Sequence, residues 1–164
     1  MVARRNVLGG LLAGLLTCSA AVPALADDTL LSVSGDIGAD APVTFTDTAL
    51  SELAQQEFAT STIWTDGVKT FSGPSLQALL DAVEAGPGDL ELVAANDYKV
   101  LLPRDIVESE VPIIANRIDG EAFGIREKGP LWLIFPFDAE ARYQNEDIYA
   151  FSIWQLTAIQ VLPE

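Results

Sequence analysis

The chain has 164 residues, with 24 acidic side chains against nine basic ones, a formal charge of −15 and no histidine. Its only cysteine is Cys18 and its only methionine is Met1. Both fall in the N-terminal segment read below as removed, so for the expected mature chain this excludes the usual zinc sites, copper carriage, cysteine nucleophiles, Ser-His-Asp triads, c-type haem attachment and redox disulfides. A Gly-rich phosphate loop is also missing.

Residues 1–26 read as a cleavable signal peptide. Arg4 and Arg5 give a basic start, and residues 7–16 form an apolar stretch too short and Gly-rich for a comfortable membrane span. Pro23 precedes Ala24-Leu25-Ala26, small residues where a signal peptidase reads. Arg4-Arg5-Asn6-Val7-Leu8 leaves twin-arginine and general secretory export both open. Thr17 before Cys18 is a poor match to a lipoprotein signal. The expected mature chain, residues 27–164, is one periplasmic or secreted domain without a membrane span. It is long enough to bury a core without disulfide or metal.

The mature part would carry seven basic residues against all 24 acidic ones, a formal −17. Such a surface repels nucleic acid and anionic lipid, and leaves room for a basic partner or a divalent cation.

Residues 30–34 alternate apolar and polar side chains, predicting a strand that Gly35 ends. Residues 43–46 make a second, and Asp47 is placed to cap a helix with Leu50 and Leu53 on one face. Residues 57–62 are extended, Asp66-Gly67 is a tight turn, and 68–71 pair back. A helix is predicted from Pro74, with Leu76, Leu79, Leu80 and Val83 on one stripe and Gly86-Pro87 as its stop. Burying those four side chains is worth at most ~6–12 kcal/mol before chain entropy.

Strands follow at 90–95 and 98–102, joined by the turn formers Asn96 and Asp97 and closed by Pro103. Residues 105–110 predict a helical turn or two. Residues 112–118 read as one strand, Asp119-Gly120 as a hairpin turn and 123–125 as its return. Residues 131–135 are apolar on both faces, as in a central covered strand. Residues 156–162 close the chain. The sum is a strand-rich α+β domain.

The pairs Glu108 with Glu110 and Glu146 with Asp147 read as solvated surface, and 138–147 lacks the spacing of a calcium loop. No catalytic or metal-ligating residue is assigned. Five of the seven basic residues fall together as Lys99, Arg104, Arg117, Arg126 and Lys128. Convergence would make an anion pocket, whereas local pairing with Asp105, Glu121 and Glu127 would spend them. Trp64, beside a turn, suits a pocket floor or the core equally; Tyr98 and Trp132 lean to the core.

Several short motifs, in order, resemble the sulfite-oxidase-type molybdopterin-binding domain. They are Phe71-Ser72-Gly73-Pro74-Ser75-Leu76 with Leu79-Leu80, Asn96-Asp97-Tyr98 leading to Leu102-Pro103, and Ile113-Ile114-Ala115-Asn116-Arg117 with Asp119-Gly120. Gly129-Pro130-Leu131 running to Pro136, and Trp154-Gln155-Leu156 with Ile159, complete the set. The resemblance implies a strand-rich mixed α+β fold. It also implies a molybdenum held by a pterin dithiolene and one cysteine thiolate, for oxygen-atom transfer. That cysteine would be expected near residues 57–64, where Thr60, Ser61 and Thr62 stand instead. Ile153 occupies the place before Trp154 where a basic residue is common.

The expectation is therefore a periplasmic accessory module that keeps the fold without the oxygen-transfer chemistry. It would bind a small anion or a protein partner through Trp64, Asp97, Arg117, Arg126 and Lys128. The alternatives are a molybdopterin-dependent oxidoreductase with non-cysteine ligation and a structural acidic domain, calcium-stabilised or not.

Overall fold

The computed structural model describes residues 28–164; the expected signal peptide lies outside the described residues. Alternation of apolar and polar side chains lays out strand β1 (Thr29–Gly35), with Leu31 and Val33 facing the core. Strand β2 (Val43–Thr46) pairs with it antiparallel. Helix α1 (Asp47–Glu52) follows, capped by Thr46 rather than Asp47: the Thr46 hydroxyl accepts the Ala49 N–H at 3.2 Å. Asp47 becomes the first helical residue and is released for a longer-range contact described below.

Strands β3 (Gln55–Ser61) and β4 (Val68–Pro74) form the expected hairpin. Pro74 ends β4 opposite Gln55 instead of opening a helix. Ser75 is the cap of α2 (Leu76–Ala82), its hydroxyl accepting the Ala78 N–H. Serine satisfies an orphan donor there, which proline could not do. Leu76, Leu79, Leu80 and Val83 are all buried, as their spacing requires. The helix closes through left-handed Glu84 (φ 52°), before Gly86, because Ala85 N–H reaches Leu80 C=O and Glu84 N–H reaches Asp81 C=O, a Schellman closure.

Strands β5 (Leu90–Ala94) and β6 (Lys99–Leu102) make a hairpin whose turn places Asp97 at φ 63°. The expected helical stretch after Pro103 shortens to a 3-10 turn, Arg104–Ile106. The expected strand over 112–118 divides in two. Strand β7 (Ile113–Ala115) leaves Asn116 as a break, and β8 (Arg117–Ile118) joins β4. Gly73 permits this: a Cβ there would stand 2.1 Å from the Ile114 carbonyl oxygen, so only glycine lets β4 lie against β7.

The turn at Asp119-Gly120 is present, but its return closes after the single Ile118–Glu121 bridge. Of residues 123–125, expected as a strand, only Ile125 enters a regular element, the 3-10 turn Ile125–Glu127, where the Glu127 carboxylate accepts the Gly124 N–H. Strand β9 (Trp132–Ile134) is fully buried, but pairs only with β7 as a strand, in a two-stranded sheet. A short helix with no sequence prediction, α3 (Glu146–Phe151), is capped by Asn145. Strand β10 (Leu156–Val161) runs parallel to β1 and antiparallel to β5.

The principal sheet therefore has the order β2-β1-β10-β5-β6, beside β3-β4-β8 and the β7-β9 pair. One continuous apolar core joins them, with Phe71, Trp132 and Phe135 as its largest fully buried side chains. No helix of the described residues is long and apolar enough to cross a membrane.

Candidate functional site: an aromatic cleft

Where β3 ends, its hydroxyls are consumed within the chain. Buried Thr60 accepts the Asp138 N–H at 3.0 Å. Ser61 donates its backbone N–H and its hydroxyl to the two Asp138 carboxylate oxygens, at 2.6 and 2.8 Å. These bonds, the backbone one first, hold the Asp138 carboxyl below the usual carboxylate range. Thr62 Oγ1 accepts the N–H groups of Trp64 and Thr65, both at 3.0 Å, and lies 2.8 Å from Thr65 Oγ1. This local hydroxyl turn fixes the backbone of Trp64.

Trp64 then sits at the centre of an aromatic group. Its ring centroid lies 5.7 Å from Trp154, 5.8 Å from Trp132, 5.9 Å from Tyr149 and 6.1 Å from Phe137. The planes of Trp154 and Tyr149 stand at 69° and 89° to it, so the three rings form steep panels rather than a stack. Trp132 is fully buried beneath them, its indole N–H bonded to the Ser152 carbonyl. A cleft of about 330 Å³ opens over Trp64, Tyr98, Tyr149 and Trp154, with Asn96 on its wall. That volume suits a small molecule. Tyr98, expected in the core, is 55% exposed here because it follows the turn and precedes the strand proper.

Gln155 assembles the rim. At φ 53°, its N–H donates to Lys128 C=O, its C=O accepts the Ala95 N–H, and its side-chain amide donates to Ile125 C=O. One residue thereby ties Trp154 to both the Asn96-Asp97-Tyr98 turn and the 3-10 turn before Lys128.

The structure distributes the five predicted site residues over four places. Trp64 floors the cleft, and exposed Asp97 lies in the turn between lining residues Asn96 and Tyr98. Lys128 is half-buried, with its ammonium 5.9 Å from the Trp154 centroid and 6.0 Å from that of Trp132. It lines a neighbouring cavity with Lys69, Glu121 and Glu127 rather than the cleft itself. Arg126 is exposed on the 3-10 turn. Arg117 is committed elsewhere, to Asp47 through a bidentate pair at 2.6 and 2.9 Å.

One other cation of the basic stretch also meets an acid. Lys99 pairs with Glu91, while Arg142, outside that stretch, pairs with Glu108 and Glu140. Sequence reasoning did not select Tyr149 and Trp154 for the site. The signal for Tyr149 was legible in Asn145-Glu146-Asp147, a cap with acids in a first helical turn.

No family model and no curated protein matches this chain. Among solved structures, it is similar to the sulfane dehydrogenase SoxCD from Paracoccus pantotrophus, with a TM-score of 0.64 and 16% identity. The match covers 89% of this chain but only 41% of that one. The strand-rich α+β fold of the sulfite-oxidase type is thus the architecture observed.

The donor set does not fit the cofactor which that fold family implies. Residues 28–164 contain no cysteine, and the hydroxyls at the end of β3 are already bonded to Asp138 and to one another. Among the described residues no group of three or more His, Cys, Asp or Glu side chains is placed to hold a metal ion.

Proposed function

We propose that this chain is an exported, periplasmic accessory domain that binds a ligand in the aromatic cleft and does not carry out oxygen-atom transfer. The observation that carries the reading is a pairing of neighbours. The strand end where a thiolate would be expected is closed by Ser61, Thr62 and Asp138. Trp64, directly after it, opens onto a cleft of ligand size. A hydroxyl bonded to a carboxylate is a poor ligand for a metal that prefers thiolate sulfur. Aromatic walls with a few polar groups are the common make-up of a small-molecule site.

Trp64 and Asp97 belong to this reading directly, and Lys128 and Arg126 as neighbours of its rim. Arg117 contributes through the fold. A periplasmic protein partner that presents the ligand as part of a loop is compatible with the same cleft; nucleic acid is not, given the acidic surface.

The shared fold is the observation on the side of a molybdopterin-dependent oxidoreductase. Two measurements on protein purified from its native source separate the readings. Metal and pterin analysis is expected to find far less than one molybdenum per chain; stoichiometric metal with turnover overturns the proposal. Tryptophan emission titrated with cationic, neutral and anionic organic solutes is expected to respond to at least one class. Silence to all three removes the ligand-binding reading.

A further inference from the structure

We infer that the cleft selects an organic cation, of the quaternary ammonium type, rather than the anion that the basic stretch of the sequence suggested. This inference rests on the reading of the cleft as a ligand site and names the class of its ligand.

The first argument is the wall. Four aromatic side chains, Trp64, Tyr98, Tyr149 and Trp154, line one cleft, and the Trp64, Tyr149 and Trp154 planes meet steeply. Ring faces carry negative quadrupole potential, and several converging on one volume attract a cation that sheds its water easily. A quaternary ammonium has no N–H to satisfy, so an apolar wall costs it little.

The second argument is the charge around that wall. None of the residues lining the cleft is basic. Asp97 lies in the turn that carries Asn96 and Tyr98. Glu146 and Asp147 occupy the first turn of α3, the helix that supplies Tyr149 and Ala150. The closest basic neighbour in sequence, Lys99, is paired with Glu91 at 2.7 Å. An anion entering here would find no cationic donor among the lining residues.

The third argument is Lys128. Among the described residues it forms no ion pair, and its ammonium lies over the Trp132 and Trp154 rings. The chain already places one cation against this aromatic group, from the side of the neighbouring cavity. For a cationic ligand, Lys128 is then a like charge close to Trp154 that weakens binding. For an anionic ligand it would be an attraction. Removing it therefore moves the two cases in opposite directions.

The test uses the full mature chain with choline, its neutral carbon isostere 3,3-dimethylbutan-1-ol, and benzoate, followed by calorimetry and tryptophan emission. Choline is expected to bind, and the isostere about tenfold more weakly. Trp154→Leu should abolish choline binding while a cooperative unfolding transition is retained at a lowered midpoint, since Trp154 is 38% exposed and packs on Trp64 and Trp132. Lys128→Gln should tighten choline about two- to fourfold, more at low salt.

Equal binding of choline and its isostere overturns the cation inference while leaving the cleft a ligand site. So does benzoate binding that Lys128→Gln weakens. No binding by any of the three overturns the inference together with the reading on which it rests.

Discussion

Arg117 and Lys128 come from the same basic stretch, yet they end in opposite surroundings. Arg117 lies in a polar clasp. Asp47, at the start of α1, accepts two guanidinium hydrogen bonds and a third, at 2.9 Å, from the amide of buried Asn116. Lys128 faces two indoles and forms no ion pair among the described residues. The clasp closes a break in the backbone, where β7 stops and β8 crosses to β4. The cleft leaves its rings partly open. A cation neutralised in a three-way clasp serves the fold, whereas the aromatic group is built beyond what packing needs. Trp132 and Phe137 are buried, while Trp154 and Tyr98 remain exposed.

The sharpest way to break this comparison is in the core beneath the cleft. Trp132 contacts Phe71 below and the cleft rings above. Trp132→Ala should cost about 3–5 kcal/mol in urea unfolding, with loss of any cleft ligand, because a large buried volume is emptied. A cost near that of a surface change would mean that the aromatic group is not part of the core.

Breaking the clasp comes next. Asp47→Ala should cost about 1–3 kcal/mol, largely from leaving the buried Asn116 amide without its acceptor. The exposed share of the ion pair adds little. Ligand binding in the cleft should be unchanged, which sharpens the division between the regions.

The same pair sets a pH dependence. The hydrogen bond from Arg117 is the main cause that holds the Asp47 carboxyl below its ordinary 3.8. A depressed carboxyl contributes stability that is complete above its unfolded value and is lost as pH falls through the folded one. Wild-type stability should therefore fall below about pH 4, and Asp47→Asn should show a shallower fall between pH 5 and 2. Asp119 and Asp138, also depressed by hydrogen bonds, keep part of the slope in both proteins. Equal slopes would show that the clasp does not form in solution.

A smaller effect is expected from Thr62→Ala. It removes the oxygen that accepts the Trp64 and Thr65 N–H groups and should cost about 0.5–1.5 kcal/mol. Trp64 emission should broaden and shift to the red as its backbone loosens. The smallest change is Lys128→Gln, within about 0.5–1 kcal/mol of wild type in stability, since one partly hydrated cation–π contact is removed.

The α+β class, the hairpin over 57–71, the buried stripe of α2 and the strands at either end of the chain were all legible in the sequence. Each depends on local periodicity or on turn chemistry that residues impose on their immediate neighbours. The absence of a thiol at 60–62 was equally plain. Trp64 and Asp97 could be picked out as residues of interest beside turns, but not placed in one cleft.

What the sequence could not decide was who meets whom. The division of 112–118 depends on Gly73 admitting the Ile114 carbonyl, and the fate of Arg117 depends on Asp47, released from its cap by Thr46. Trp154 reaches Trp64 only because Gln155 ties three distant segments together. Local pattern is written along the chain, whereas the partner of a charge or a ring is chosen by packing across it. The elements were therefore fixed early, and the cleft was decided only by the tertiary structure.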